Sequence, residues 1–180
     1  MIGKENARLL DAIGAFEQVS QLIMMSDEDE PCALNVEWVE TEIEICLDSG
    51  CCDHVLDLID APGYASFLGE SAGSKRGQKY VVGNGQRVKN EGEVVLNMTS
   101  EVGGDVRVLQ SCFQVAQVTR PLMSVSRVCD QGLRCIFDDE QATVVDKKTG
   151  KEVAVFQRRG GLYIAKMKLK APAGFTRPPQ

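Results

Sequence analysis

One run of the chain leaves little freedom in how it folds. Val39, Thr41, Ile43, Ile45 and Leu47 alternate with Glu40, Glu42 and Glu44. Successive side chains of a strand point to opposite faces, so this spacing predicts a β-strand with one buried face and one wet face. The alternation ends at Asp48-Ser49-Gly50, an acid followed by two small residues. Glycine reaches backbone conformations that other residues resist, so a tight turn is predicted there. Asp48 is therefore expected at the end of a buried strand, held rigidly and partly away from water, conditions that suit a carboxylate to chemistry. The plainer reading of the same residue is a turn-capping aspartate, which is common at strand ends.

Upstream, the spacing of Leu9, Ile13, Phe16 and Ile23 predicts an amphipathic helix from about Glu5 to Met25, interrupted by Gly14. Ser26-Asp27-Glu28-Asp29-Glu30-Pro31 ends it as an acidic, solvated linker, and a domain boundary is placed there. Leu34 to Trp38 alternates as a first strand. Its phase breaks at Trp38-Val39, which predicts a turn or bulge before the strand that carries Asp48.

Downstream, Ala61-Pro62-Gly63-Tyr64 is a turn signal, and residues 69–77 read as a loop rich in glycine and serine. Lys79 to Val88, a strand, a Gly83-Asn84-Gly85 turn and a returning strand, reads as a β-hairpin. Strands are expected at Glu93–Met98 and Val106–Val118, turned by Glu101 to Asp105, and Arg120-Pro121 breaks the ladder. A helical turn opening on Ser124 and Ser126 and closing at Gly132 follows. Further strands are expected at Leu133–Phe137, Ala142–Val145, Val153–Phe156 and Leu162–Leu169. The proline-bearing tail after Lys170 is expected to be disordered. The organisation is thus an N-terminal helix and linker over 1–31, one domain over 32–170, and a tail over 171–180.

Composition narrows function. At 180 residues and 43% apolar content, one core is within reach. A formal charge of −6 argues against binding nucleic acid through phosphates. The eight basic residues from Lys147 to Lys170 fall in turns and on wet strand faces, with no aromatic stacking platform beside them. No apolar run is long enough to span a bilayer, and Met1-Ile2-Gly3-Lys4-Glu5 opens a charged helical pattern instead of a secretory signal, so an intracellular, cytoplasmic setting and no membrane partner are expected. The seven cysteines, an odd number without a Cys-x-x-Cys pair, read as free thiols in a reducing compartment. Cys51, Cys52 and His54 are conceivable zinc ligands, but adjacent cysteines rarely converge on one ion and no second pair matches them. No metal and no cofactor are expected.

Leu47-Asp48-Ser49-Gly50 followed by Val55-Leu56-Asp57-Leu58-Ile59 resembles the active-site loop of aspartic proteases. The motif occurs once, since Asp130-Gln131-Gly132 lacks the hydroxyl. The resemblance therefore points to the retropepsin arrangement, in which two identical chains give one aspartate each. Leu122-Met123-Ser124-Val125-Ser126, Gly132, Ile136-Phe137-Asp138, Lys148-Thr149-Gly150-Lys151 and Gly161-Leu162-Tyr163 follow in an order that closely resembles copia-type retrotransposon polyproteins. His54 after the motif and Val82-Gly83-Asn84-Gly85 are similar to that family as well. The likeness covers Leu34 to Leu169. Cys51 departs from the alanine usual after the family's glycine. Ser124 stands where retropepsins proper have glycine, as it does in copia-type chains. The His/Cys segment that opens integrase is not in the sequence, which places this stretch before integrase.

The resemblance implies an all-β fold: a retropepsin-like closed barrel of antiparallel strands with one short helix, beside the N-terminal helix. It implies a homodimeric aspartic endopeptidase that cleaves its own retrotransposon polyprotein, with Asp48 catalytic and Ser49 and Gly50 supporting the loop. Gly83, Asn84, Gly85 and Gln86 would form the tip of a substrate-covering flap. Virus-like particles would be one setting for it. The alternative is an inactive or repurposed domain of the same fold that dimerises or scaffolds.

Overall fold

The computed structural model describes residues 23–24 and 38–170, with side chains from residue 41. The expected helix up to residue 22, the acidic linker, the strand over residues 34–37 and the tail over 171–180 lie outside the described residues. Ile23 and Met24, which the helical spacing includes, form a short strand, β1 (Ile23–Met24).

The described chain is mostly strand. β2 (Trp38–Asp48) and β3 (Val55–Leu56) are followed by a helical turn, α1 (Ala72–Lys75), and the hairpin β4 (Lys79–Val81) and β5 (Arg87–Lys89). Two long strands come next, β6 (Gly92–Val102) and β7 (Asp105–Val115). After them come β8 (Leu122–Ser124), α2 (Val125–Asp130), β9 (Leu133–Phe137), β10 (Gln141–Asp146), β11 (Glu152–Arg159) and β12 (Leu162–Lys170). Ten strands form one sheet; β4 and β5 form a second sheet of their own.

The alternation that predicts β2 holds: Ile43, Ile45 and Leu47 are buried, while Glu42 and Glu44 are exposed. β2 pairs antiparallel with β12, from Leu47 opposite Tyr163 to Thr41 opposite Leu169. Lys170 then lies opposite Trp38, so β2 carries extra residues between Trp38 and Thr41. That is the irregularity expected where the alternation changes phase. β6 and β7 pair along their whole length, turning on Gly103 and Gly104 at φ +61° and +88°. A two-residue hairpin loop of this hand needs positive φ at both positions, which glycine meets without steric cost.

Two expectations are corrected. The strands are not all antiparallel: β2 pairs parallel with β8, and β3 pairs parallel with β7. A parallel neighbour must come from a distant part of the chain, so alternation within one segment does not reveal it. Nor is there one short helix. The stretch read as a loop contains α1, because Ser71 accepts from the Ser74 N–H at 3.0 Å while the Ser74 hydroxyl accepts from the Ser71 N–H at 2.9 Å. This reciprocal cap offsets the poor helix propensity of glycine and serine.

Followed from strand to strand, the pairs run from β12 to β2, β8, β3, β7 and β6, and from β6 back to β12. The core cluster includes Ile43, Ile45, Leu47, Leu56, Leu96, Met98, Leu109, Phe113 and Phe156. Tyr64 is buried with them; its hydroxyl donates to the Lys170 carbonyl and accepts from the Asn97 N–H at 3.3 Å, which ties the turn after β3 to β6 and β12.

Candidate active site

Asp48 is the last residue of β2, half-buried, and lies opposite Ser124 in the parallel pair with β8. Its Oδ1 accepts the Gly50 N–H at 2.7 Å. Ser49 and Gly50 are exposed. Gly50 is not among the glycines at positive φ, so the turn does not depend on a left-handed residue there. What glycine provides is room, since a Cβ at this position would stand 3.3 Å from Asp48 Oδ1.

The loop that follows is strapped to Ser124 from several sides. Ser124 is wholly buried and caps α2. Its hydroxyl donates to the Cys51 carbonyl at 2.6 Å and accepts from Ser126 Oγ at 2.9 Å, and its N–H donates to His54 Nδ1 at 3.0 Å. The Cys51 thiol donates to the Asp53 carbonyl at 2.7 Å, and burial pushes its pKa up to about 11, so it stays a neutral donor at physiological pH. His54 is buried beside Phe113, with ring centroids 5.4 Å apart. Burial, with the Arg127 charge adding to it, pushes its pKa down to about 4. The neutral ring accepts at Nδ1, so its proton sits on Nε2.

Asp53 holds the far end of the loop. Its Oδ1 receives Arg127 Nε at 3.0 Å and Nη2 at 2.5 Å, while Oδ2 receives the Tyr80 hydroxyl at 3.2 Å. The bond to Asp53 raises the Arg127 pKa above its ordinary value. Burial, then the nearby carboxylate, pushes the Tyr80 phenol well up. Tyr80 also accepts from Asn90 Nδ2 at 3.2 Å.

The hairpin tip is exposed. Val82 N–H donates to the Gln86 carbonyl at 2.9 Å, and Gln86 N–H donates to Asn84 Oδ1 at 2.9 Å. Among the described residues, no hydrogen bond joins Gly83, Asn84, Gly85 or Gln86 to Asp48. Asp48, Ser49 and Gly50 are together; among the described residues, the hydrogen bond from Tyr80 to Asp53 joins the hairpin to the same loop. A cavity of about 470 Å³ runs along the face of β2 that carries Cys46, Glu44 and Glu42, bounded by Ile59, Asp60 and Arg120. Strand alternation puts Asp48 on this face, beyond the residues that line the cavity.

Sequence reasoning missed Asp53, Tyr80, Asn90 and Arg127 as site residues. In the sequence, Asp53 and Arg127 are marked only by their nearness to the Asp-Ser-Gly turn and to the capping serine. Among the described residues no group of histidine, cysteine and acidic side chains could hold a metal ion. No helix of the described chain is long and apolar enough to cross a membrane. No family model, curated protein or solved structure matches this chain.

Proposed function

We propose that the protein is an aspartic endopeptidase of the retropepsin kind, active as a homodimer in which each chain gives one Asp48. The observation that carries this reading is the seat of Asp48. It ends a buried strand in parallel register with Ser124, and the hydroxyl and amide of Ser124 hold the loop that follows. Asp48 itself makes the bond of a turn cap, to the Gly50 N–H; the reading rests on the Ser124 support beside it, which turn capping does not require. The circuit of pairs from β12 back to β12 is read as the small barrel of that fold, and β4–β5 as its flap.

The chemistry follows from placing two such acids side by side. Two adjacent carboxylates cannot both ionise cheaply, so the pair holds one proton between them. The charged member takes a proton from a water molecule, the water oxygen attacks the peptide carbonyl, and the neutral member donates to the carbonyl oxygen. The tetrahedral adduct then collapses: one hydroxyl proton returns to the carboxylate that gave its own, the C–N bond breaks, and the leaving nitrogen takes the proton drawn from water, so no covalent enzyme intermediate forms. The Gly50 N–H steadies the carboxylate, and Ser49 bridges the two loops. The substrate, a segment of the chain's own polyprotein, binds as an extended strand between flap and floor, so main-chain contacts are general and side-chain pockets are selective.

The test is Asp48→Asn, a change of one atom that preserves shape. Peptide cleavage is expected to fall by about 10²–10⁴-fold, with dimerisation and thermal midpoint kept and binding of a pepstatin-like inhibitor lost. Unchanged cleavage by the variant would overturn the assignment. A protein that dimerises, cleaves nothing and binds no such inhibitor would be the scaffold form of the fold.

A further inference from the structure

Among the described residues, the hairpin β4–β5 has no strand pairing to the ten-stranded sheet. At its base, Gln78 N–H donates to the Gly73 carbonyl at 2.9 Å and Glu91 N–H to the Val115 carbonyl at 2.8 Å. Beyond those backbone bonds, a line of side chains connects it to the body. Arg127 on α2 donates twice to Asp53 Oδ1, Tyr80 donates to Asp53 Oδ2 at 3.2 Å, and Asn90 Nδ2 donates to the Tyr80 oxygen at 3.2 Å. Asn90 Nδ2 also donates to Gln114 Oε1 at 2.8 Å, and Gln114 Nε2 donates to Glu93 Oε2 at 2.9 Å on β6. Asn90 is wholly buried and the Asp53 side chain is only 15% exposed, so water competes little for these bonds.

The geometry at Asp53 is directional. Two guanidinium N–H groups anchor one oxygen, and the Tyr80 hydroxyl meets the other. Tyr80 lies within β4, and Asp53 lies on the loop that leaves Asp48. Arg127 comes from the helix that Ser124 caps, and Ser124 is the residue opposite Asp48. One carboxylate thus touches the hairpin and the support of the acid at once.

We propose that Asp53 and Tyr80 form a latch that sets the pose of the β4–β5 hairpin relative to the Asp48 loop, with Asp53 as a positioning residue for substrate closure. The effect on turnover rests on the peptidase reading; the latch itself does not. With Tyr80 on Asp53, the hairpin holds one pose. Without that bond it pivots on its backbone base, and the substrate spends more of its own binding energy to order it.

The experiment uses the full chain with Tyr80→Phe, Asp53→Asn and Asp53→Ala, read by backbone ¹⁵N relaxation and by peptide kinetics. In Tyr80→Phe, which loses one hydroxyl, order parameters at Gly83, Asn84, Gly85 and Gln86 are expected to fall from about 0.85 toward about 0.6, with the amides of β12 unmoved. Asp53→Asn keeps a single oxygen for which Arg127 and the phenol compete, so its hairpin should be looser than that of the wild type and no looser than that of Asp53→Ala. Against a peptide, Tyr80→Phe should raise KM about tenfold and leave kcat within about threefold, a split that general loosening of the fold would not give. Unchanged relaxation at the tip of Tyr80→Phe overturns the latch, whatever becomes of the alanine variant. A freed tip in an active enzyme with unchanged KM overturns the positioning role. A freed tip in a protein that cleaves nothing supports the latch and counts against the peptidase reading alone.

Discussion

His54 carries a pH dependence of its own. Folded, it is neutral and takes a proton only near pH 4; the unfolded chain's imidazole takes one near 6.5. The unfolded state therefore binds more protons between those values. The contribution to stability is whole above about pH 6.5 and declines as pH falls toward 4, a loss of about 3 kcal/mol by then. Urea midpoints measured from pH 7 to pH 4 should show this slope in the wild type and a flatter one in His54→Gln, whose amide oxygen keeps an acceptor for the Ser124 N–H. His54→Leu removes that acceptor and should cost about 1–3 kcal/mol at neutral pH, the penalty of an unpaired buried amide. Under the peptidase reading, activity has a floor on the acid side of its working range, because the group that steadies the loop fails in acid.

At the scale of elements, close approach of backbone decides more than propensity. Gly92 opens β6 at φ +144°, and a Cβ there would stand 2.2 Å from the Gly69 carbonyl oxygen. Gly92→Ala therefore meets both strain and a backbone clash and should lose about 1–3 kcal/mol by chemical denaturation. Gly73 in α1 faces side chains instead: a Cβ there would lie 2.1 Å from Gln78 Oε1 and 2.6 Å from Asn90 Nδ2. Gly73→Ala should displace the buried asparagine and loosen the hairpin base more than it lowers the thermal midpoint, which amide exchange at Asn90 and Glu91 would report. The long strands were legible in advance, because β2, β6, β7 and β12 alternate over many residues and the turn glycines punctuate them. α1 was not, since Ser-Ala-Gly-Ser has the composition of a loop and only the reciprocal serine cap makes it helical.

The whole molecule sets what one chain can do alone. The seat of Asp48 is complete within a chain, whereas a shared proton requires a second acid. Under the peptidase reading, activity per chain should fall about tenfold for each tenfold dilution well below the dimer dissociation constant, measured by progress curves over a dilution series. Asp48-Ser49-Gly50 and the hairpin could be picked out in the sequence because each is a short local pattern. The register of Asp48 against Ser124, and the reach of Arg127 and Tyr80 to Asp53, could not. Each joins parts of the chain that local alternation treats as unrelated, and Asp53 and Arg127 have the look of ordinary surface charges.

That parallel register has a consequence in time. A ribosome emits Asp48 long before it emits Ser124 and Arg127, so a nascent chain carries the acid without its cradle until most of the domain has left the exit tunnel. Under the peptidase reading, synthesis therefore acts as a safety catch: a truncated or half-made product holds the motif in its letters and lacks the instrument.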